Sequence, residues 1–256
     1  MTSLSDAKVW VVGASSGIGA ALAAELCARG ATVAVSARRV GALEAVAGGR
    51  MAVVKADVTD RASVDQAAAR VREEIGDIDI AVLNAGYWQQ TDAAAWDRQV
   101  FSEHVDVNLL GVSNVLGAVL PRMIERGRGH IVGVASVAGY RGLPGAEAYG
   151  ATKAAQINLL EAMRGALARS GVRVTTVCPG FVRTGMTAVN DFPMPFMVEP
   201  QQAARSICDG LERGRMEIVF PLPMALLMKI ARLLPVRLWA AALGRAGKKK
   251  QSLEHS

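Results

Sequence analysis

Short apolar runs alternate along the chain with longer segments in which apolar residues recur at helical spacing. The apolar runs predict strands over 9–12, 32–36, 51–55, 78–83, 130–135, 172–177 and 217–220. The segments between them predict helices over 18–29, 40–46, from a cap at 59–60 to 75, over 96–126 and over 147–170. Strands that alternate with helices of this length pair in parallel through right-handed crossovers, so the pattern predicts a doubly wound α/β sheet.

The composition is that of a globular protein with a sizeable core, since 51% of the 256 residues are apolar and 20% are charged. The pattern shows no linker and no other repeat, which predicts one domain. The three cysteines are far apart, and the three histidines form no HExxH motif, so we expect a reducing compartment, no disulfide framework and no metal site. Residues 1–8 are polar, and we expect no signal peptide.

The positive charge is concentrated near the C-terminus. The chain has a net charge of +6, and residues 221–250 hold seven basic residues and no acidic one, which leaves the remainder nearly neutral. The basic character therefore belongs to one segment, and we expect no nucleic-acid partner. The longest uncharged apolar run there, 218–228, is 11 residues, too short to span a bilayer.

Three glycines, Gly13, Gly17 and Gly19, lie in the turn GASSGIG between the first predicted strand and helix. Glycines permit a tight turn, and the N-terminus of the following helix favours an anion. The turn therefore predicts a site for the pyrophosphate of a dinucleotide at the carboxyl edge of the sheet. Its GxxxGxG spacing differs from the common GxGxxG, and a plain strand–helix turn can also hold three glycines.

Arg38 and Arg39 follow the second predicted strand. A site for NAD usually carries an acidic residue here, which accepts a hydrogen bond from the ribose 2′-hydroxyl. Guanidinium groups suit a 2′-phosphate instead, so the pair predicts NADP(H), preferred over NAD(H). The alternative is a solvated helix start.

Tyr149 and Lys153 are spaced i, i+4 near a predicted helix start and share one face of it. A nearby ammonium lowers the pKa of a phenol, which would make Tyr149 a usable acid and base near neutral pH. Ser136 follows the fifth strand at the same edge of the sheet. The YxxxK spacing by itself also describes a surface pair.

Taken together, these motifs resemble the classical short-chain dehydrogenase/reductase family. The match runs in family order from about residue 8 to 186 and adds Asp57-Val58, Asn84-Ala85-Gly86, Asn108, Pro179-Gly180 and Thr184. The resemblance implies a single-domain Rossmann-type fold, with three α/β/α layers, and hydride transfer between a nicotinamide and a carbonyl/alcohol pair. It also implies a homodimer or homotetramer.

The resemblance also implies a role for each matching residue. Tyr149 would exchange a proton with the substrate oxygen, and Ser136 would hydrogen-bond that oxygen. Lys153 would bind the nicotinamide ribose and lower the pKa of Tyr149, and Asn108 would hold a relay water behind Lys153. Cofactor contacts are implied for Gly13, Ser15, Ser16, Gly17, Ile18, Gly19, Arg38, Arg39, Asp57, Val58, Asn84, Ala85, Gly86, Tyr149, Lys153, Pro179, Gly180, Val182 and Thr184.

An apolar loop over about 184–200 predicts a hydrophobic substrate pocket, because the corresponding family segment closes over the substrate. Each candidate for lining this pocket could also be core. The candidates are Trp88, Val137, Tyr140, Leu143, Phe192 and Phe196.

The chain divides into a catalytic domain over 1–220 and an apolar, basic extension over 221–256, with predicted helices over 224–234 and 236–243 on either side of Pro235. The extension loosely resembles those of family members that act on lipophilic carbonyls. Two interpretations stay open, a lid or subunit interface and contact with an anionic membrane. We expect a cytoplasmic protein, with peripheral membrane contact under the second interpretation.

The favoured hypothesis is an NADP(H)-dependent carbonyl reductase or alcohol dehydrogenase for an apolar ketone, aldehyde or secondary alcohol. A 3-oxoacyl-(carrier) reductase is the alternative within enzymes. A non-catalytic NADP(H)-binding sensor or regulatory subunit is the alternative outside them. The joint presence of Asn108, Ser136, Tyr149 and Lys153 argues against the sensor.

Overall fold

The computed structural model describes residues 4–241 and 243. Within them, seven parallel strands form one sheet in the order β3-β2-β1-β4-β5-β6-β7. The strands are β1 Lys8–Val12, β2 Thr32–Ala37, β3 Ala52–Lys55, β4 Ile80–Leu83, β5 Gly129–Val134, β6 Val172–Pro179 and β7 Glu217–Phe220. The order runs outward from β1 in both directions, which confirms the doubly wound, Rossmann-type sheet.

Helices cover both faces of the sheet. They are α1 Gly17–Ala28, α2 Val40–Ala47, α3 Arg61–Ile75, α4 Arg98–Val105, α5 Gly111–Glu125, α6 Glu147–Ala166, α7 Pro200–Glu212 and α8 Leu222–Leu233. A π-helical turn, Asp106–Leu110, joins α4 to α5, and a 3₁₀ turn, Val137–Gly139, follows β5. Helices α1, α2 and α7 pack on one face, and α3, α5 and α6 pack on the other, so the layers are α/β/α.

Strand β1 shows why its sequence is apolar without a break. Val9 and Val11 contribute to the core on one face of the sheet, and Trp10 and Val12 contribute to the other. A central parallel strand is buried on both faces, so both sets of alternating positions must be apolar. The indole nitrogen of Trp10 donates a hydrogen bond to Ser36 Oγ at 2.8 Å, which satisfies the one polar atom of the buried side chain.

The predicted helix over 96–126 is a composite of two α-helices and the π-helical turn between them. It begins at Arg98, because the carboxylate of Asp97 caps it by accepting hydrogen bonds from the backbone amides of Gln99 and Val100. Among the described residues, the run Arg98–Glu125 is long and apolar enough to cross a membrane by length and composition. Its buried side chains lie in the core against the sheet, as expected of a core helix.

Helix α7 was not among the predicted elements. Its sequence carries the signal, because Pro200 occupies the first turn and apolar residues follow at helical spacing. The buried side chains are Ala203, Ala204, Ile207, Cys208 and Leu211. Arg29, at the end of α1, forms ion pairs of 2.7 Å with Asp209 and with Glu212, which joins the two helices.

The first helix of the extension, predicted over 224–234, begins two residues earlier, since α8 starts at Leu222 and ends at Leu233. Pro235 interrupts the helix, and residues 236–241 are helical again. Residue 242 of the predicted second helix and residues 244–256 lie outside the described residues.

Candidate active site

A cleft of about 350 Å³ lies at the carboxyl ends of the strands. It collects residues from the turns after β1, β2, β3, β4, β5 and β6. The predicted residues that line it are Gly13, Ser15, Ser16, Gly17, Ile18, Arg38, Arg39, Asp57, Val58, Asn84, Ala85, Gly86, Ser136, Tyr149, Lys153, Pro179, Gly180, Val182 and Thr184. Parallel strands bring all these turns to one edge of the sheet, although they are far apart in sequence.

The glycine turn is held tightly between β2 and β4. The amide of Gly13 donates to Ser36 O at 2.7 Å, and its carbonyl accepts from Asn84 Nδ2 at 2.8 Å. Gly13 has a φ of +87°, and a Cβ there would lie 2.5 Å from the backbone nitrogen of Ala85. A Cβ at Gly19, which supports the turn from α1, would lie 2.2 Å from the Gly13 carbonyl oxygen. Only glycine fits at these two positions.

The N-terminus of α1 points into this turn. Ser16 is its N-cap in extended backbone conformation, and the Ser16 side chain makes no capping hydrogen bond, unlike Asp60 on α3. The first amides of α1 are therefore not satisfied by a side-chain cap. An anion such as a pyrophosphate is the natural partner for such amides, so this end of the cleft fits a dinucleotide.

Arg38 and Arg39 are exposed at the mouth of the cleft, directly after β2. The Arg39 guanidinium donates to Ser15 Oγ at 3.3 Å, which places it over the glycine turn. The loop after β3 lies next to the arginines, because β3 pairs with β2. One carboxylate oxygen of Asp57 accepts from the amide and the hydroxyl of Thr59 at 3.0 and 2.8 Å, and these contacts orient this loop.

Ser136, Tyr149 and Lys153 meet at the centre of the cleft. Ser136 caps the 3₁₀ turn by accepting from Ala138 N at 3.1 Å, and it also hydrogen-bonds Tyr149. The Lys153 ammonium is buried, donates to Val134 O at 2.9 Å and lies 5.6 Å from the centroid of the Tyr149 ring. One hydroxyl, one phenol and one ammonium thus surround a single point at the end of β5.

The pKa of Tyr149 differs from the sequence expectation. Burial raises it to about 12, and the hydrogen bond from Ser136 opposes that rise without overcoming it. Burial also lowers the pKa of Lys153 to about 8. The predicted depression of the Tyr149 pKa is wrong for this structure, because desolvation of the phenolate outweighs the interactions that stabilise it.

Asn108 lies in the π-helical turn, and its side chain is fully engaged. Its Oδ1 accepts from Tyr87 N at 2.7 Å, and its Nδ2 donates to Tyr87 O at 3.0 Å and to Thr152 Oγ1 at 3.1 Å. Gln156, which the sequence analysis did not single out, joins this turn to Lys153. The Gln156 Oε1 accepts from Lys153 Nζ at 3.1 Å, and its Nε2 donates to Asn108 O.

The relay water expected beside Asn108 stays a prediction. The connection that the structure shows between Asn108 and Lys153 runs through the Gln156 amide, which is 1% exposed. A sequence signal existed, because Gln156 is a polar residue three positions after Lys153 and therefore on the same helix face.

The cofactor candidates after β6 form the remaining wall of the cleft. The Gly180 amide donates to Phe220 O at 2.7 Å, and the Thr184 amide donates to Thr187 Oγ1 at 3.0 Å. Thr187 and Met186 line the cleft as well. The sequence analysis missed them, because it chose the aromatic residues further along the same loop.

None of the six substrate-pocket candidates lines this cleft. Tyr140 is buried in a cluster with Val137 and Leu143 under α8, and its hydroxyl donates to Glu217 Oε1 at 2.5 Å, so the structure assigns it to the core instead. Phe192 packs against Phe181. Phe196 is 52% exposed.

Trp88 is the pocket candidate whose ring contacts the ring of Tyr149. Its ring centroid lies 5.2 Å from that of Tyr149 in an edge-to-face contact. Its indole nitrogen donates to Asn190 Oδ1 at 2.9 Å, which attaches the loop after β6 to the wall beside Tyr149. His104, also missed, is fully buried behind this pair, with its ring 6.3 Å from that of Tyr149. These side chains form an aromatic wall adjoining the phenol.

The described residues contain no group of three or more His, Cys, Asp or Glu side chains that could hold a metal ion. Ser136, Tyr149 and Lys153 are the catalytic candidates that line the cleft beside the glycine turn.

A doubly wound parallel sheet, a glycine turn before α1 and a Ser–Tyr–Lys group at the carboxyl edge define a class of dinucleotide-binding oxidoreductases. The family described as "short chain dehydrogenase" matches residues 7–192 of this chain. A protein named "Uncharacterized oxidoreductase" of Myxococcus xanthus (strain DK1622) is 39% identical over 251 residues, covering 96% of this chain and 99% of that protein. The chain belongs to the short chain dehydrogenase family and is an oxidoreductase.

Solved structures agree on the fold. A short chain dehydrogenase from Burkholderia cenocepacia J2315, solved in complex with NADP, has a TM-score of 0.84 at 27% identity and covers 94% of this chain and 99% of its own. A short chain dehydrogenase/reductase from Burkholderia phymatum, solved in complex with NAD, has a TM-score of 0.83 at 21% identity and covers 90% of this chain and 94% of its own. The second likeness bears on the fold alone.

Proposed function

We propose that the protein transfers hydride between NADP(H) and an apolar ketone, aldehyde or secondary alcohol, with Tyr149 as general acid and base. The observation that carries the proposal is that Ser136, Tyr149 and Lys153 line the same cleft as the glycine turn and Arg38-Arg39. One bound substrate could therefore reach the proton donor Tyr149, its polar neighbours Ser136 and Lys153, and a cofactor in the dinucleotide site.

The proposed preference for NADP(H) rests on charge. Two exposed guanidinium groups flank the turn at the end of β2, and the residue that ends β2, Ala37, is not acidic. A 2′-phosphate would carry negative charge to this point, where Arg38 and Arg39 can form charge-assisted hydrogen bonds with it. Relatives of this fold have been solved with NADP and with NAD, so the arginines supply the argument for this chain.

A bound reduced nicotinamide would supply the hydride that adds to the carbonyl carbon. Tyr149 donates its hydroxyl proton to the carbonyl oxygen during reduction and takes a proton back during oxidation. Ser136 holds that oxygen by a hydrogen bond, and its interaction with Tyr149 supports this role, because it puts the two hydroxyls next to each other. The ammonium of Lys153 stabilises the tyrosinate left after proton transfer, because a positive charge lies 5.6 Å from the ring.

An apolar substrate is proposed because the wall adjoining Tyr149 is aromatic. Trp88 contacts the phenol ring edge-on, and Met186 lines the cleft. Such walls favour a substrate with an apolar body and one polar atom, the oxygen that reacts.

The test is turnover of purified protein with NADPH and with NADH, against ketones and aldehydes graded by size and polarity. We expect faster turnover with NADPH, rising with the apolar area of the substrate. Tyr149→Phe should retain NADPH affinity and lose turnover by at least about 100-fold, the lower range for loss of a positioned proton donor. Wild-type rates in that variant would exclude the mechanism, and NADPH binding without any turnover would favour a sensor.

A further inference from the structure

Helix α8 is apolar on two faces, and the described structure covers only one of them. The inner face, Met224, Ala225, Met228 and Ala231, is buried against the domain. The outer face is more than half exposed at every one of its large side chains, and it continues beyond Pro235. We call this set the outer face: Leu222, Leu226, Leu227, Ile230, Leu233, Val236 and Leu238.

The outer face is held outward by contacts on its flanks. Lys229 forms an ion pair with Glu217 at 2.7 Å, and Arg141 donates to Leu234 O at 3.0 Å. The indole nitrogen of Trp239 donates to Gly142 O at 2.9 Å, and Arg141 lies over the Trp239 ring. The extension is thus fixed to the domain at Lys229, Leu234 and Trp239, so turning the outer face inward would break these contacts.

An uncovered apolar surface of this kind is unfavourable in water. Isolated exposed leucines are ordinary, but here seven large apolar side chains are exposed within residues 222–238. A helix that is apolar around most of its circumference is normally covered on all those sides. Something outside the described part of the chain should cover the outer face.

The charge of the segment indicates what covers it. Between residues 221 and 250 the sequence has seven basic residues and no acidic one. Of the described basic residues, Lys229 is paired with Glu217 and Arg232 lies over the Tyr140 ring, whereas Arg237 is exposed beside Val236 and Leu238. A second copy docked through the same face would bring two sets of like charges together, which disfavours association. An anionic lipid surface would neutralise these charges and accept the apolar side chains.

We propose that the outer face lies on the surface of an anionic membrane, with α8 in the plane of the interface. Twelve residues of helix are about 18 Å long, against about 30 Å of hydrocarbon, so the segment rests on the bilayer and does not cross it. The inner face packs next to Gly180, where an added Cβ would lie 3.0 Å from Met224 Cγ. Because Gly180 lines the cleft, the membrane would adjoin the end of the site formed after β6.

Vesicle co-sedimentation of the full chain tests this proposal. The probes are vesicles of phosphatidylcholine alone and of phosphatidylcholine mixed with phosphatidylglycerol. We expect binding to the mixed vesicles, much weaker binding to phosphatidylcholine, and release as salt is raised, because screening weakens attraction between basic residues and anionic lipid.

The decisive variant is Leu226→Gln with Ile230→Gln, which removes two exposed apolar side chains and leaves the charge and helix propensity nearly unchanged. Binding should weaken by at least about tenfold, since both side chains would be buried in lipid. The matched control, Ile124→Gln with Met216→Gln, removes two exposed apolar side chains elsewhere and should bind like the wild type. Equal melting temperatures establish that both variants fold.

Three results would overturn the proposal. The wild type could fail to bind the mixed vesicles, or the Leu226 and Ile230 double variant could bind as tightly as the wild type. The third is an oligomer in sedimentation velocity that this variant dissociates while neither protein binds vesicles, which would assign the outer face to a second copy. None of these readouts uses catalysis, so they stand apart from the proposed reaction.

Discussion

Replacing Gln156 with leucine should move the pH at which the enzyme loses activity. In the wild type, the Lys153 ammonium donates to Val134 O at 2.9 Å and to Gln156 Oε1 at 3.1 Å. Leucine has a similar size, and it removes this acceptor together with the Gln156 Nε2 donor to Asn108 O. The variant therefore measures what the Gln156 amide contributes to keeping Lys153 charged in a buried site.

The magnitude follows from the contact. A hydrogen bond to a charged group contributes about 1.5–3 kcal/mol, and one pKa unit corresponds to about 1.4 kcal/mol. Losing the Gln156 acceptor should therefore lower the pKa of Lys153 by about 1–2 units, starting from the value of about 8 that burial imposes. The other titratable groups near this ammonium are Tyr149 and Cys178. Since Lys153 is charged only below its pKa, the alkaline limb of the profile should move to lower pH.

The assay is kcat/KM for NADPH-dependent reduction as a function of pH, which reports the groups of the free enzyme. Gln156→Glu is the paired variant, because a carboxylate next to the ammonium raises the pKa of Lys153 and moves the same limb to higher pH. Urea unfolding of all three proteins shows whether they are folded. A leucine variant with the wild-type pH profile would refute the role assigned to Gln156.

Three further predictions concern the cofactor site and the core. Arg38→Ala and Arg39→Ala should each weaken NADPH binding about fivefold, after discounting for exposure, and leave NADH binding unchanged in a fluorescence titration. An equal loss for both cofactors would contradict the 2′-phosphate assignment. In Gly19→Ala the new Cβ would lie 2.2 Å from the Gly13 carbonyl oxygen, so this variant should lose NADPH binding, and its free energy of unfolding should fall by about 1–3 kcal/mol. Gly41→Ala is the control, because a Cβ there meets nothing within 4 Å and should change neither quantity. Burial lowers the pKa of His130 to about 3, so the unfolded chain takes up a proton below about pH 6.5 that the folded chain refuses. As the pH falls from about 6.5 to about 3, the contribution of His130 to the free energy of unfolding should therefore decrease by about 1.4 kcal/mol per pH unit. Urea unfolding at several pH values measures this, and equal acid sensitivity of the wild type and His130→Gln would contradict it.

The strands were predictable to within two residues at most ends because their signal is local. In β1 a short apolar run between Lys8 and Gly13 sufficed, and β7, which ends before Pro221, has the predicted bounds. The glycine turn was equally clear, since its backbone conformation and its close approach to Ala85 exclude other residues. Such features depend on neighbours in sequence or on one steric requirement, so they can be recognised from the pattern of residues.

The contacts around Lys153 were less accessible. Gln156 joins Lys153 to Asn108, which is 48 positions earlier in the chain, and the contact exists only because α6 packs beside the π-helical turn. The pKa of Tyr149 was misjudged for a related reason. Sequence spacing shows that an ammonium is near, but it does not show how deeply the phenol is desolvated.

By itself, the sequence determined the alternation of strands and helices, the glycine turn and the arginines after β2, because each is a local pattern with a physical requirement at fixed spacing. The Ser–Tyr–Lys group was identified by the family resemblance, which depends on several motifs in order along the chain. Only the tertiary structure decided that Tyr140 belongs to the core, that Gln156 holds Lys153, and that one apolar face of α8 is buried while the other is exposed. The reason is that burial and long-range contacts depend on how helices pack against the sheet. The identity of an apolar residue does not show whether its side chain faces the core or the solvent.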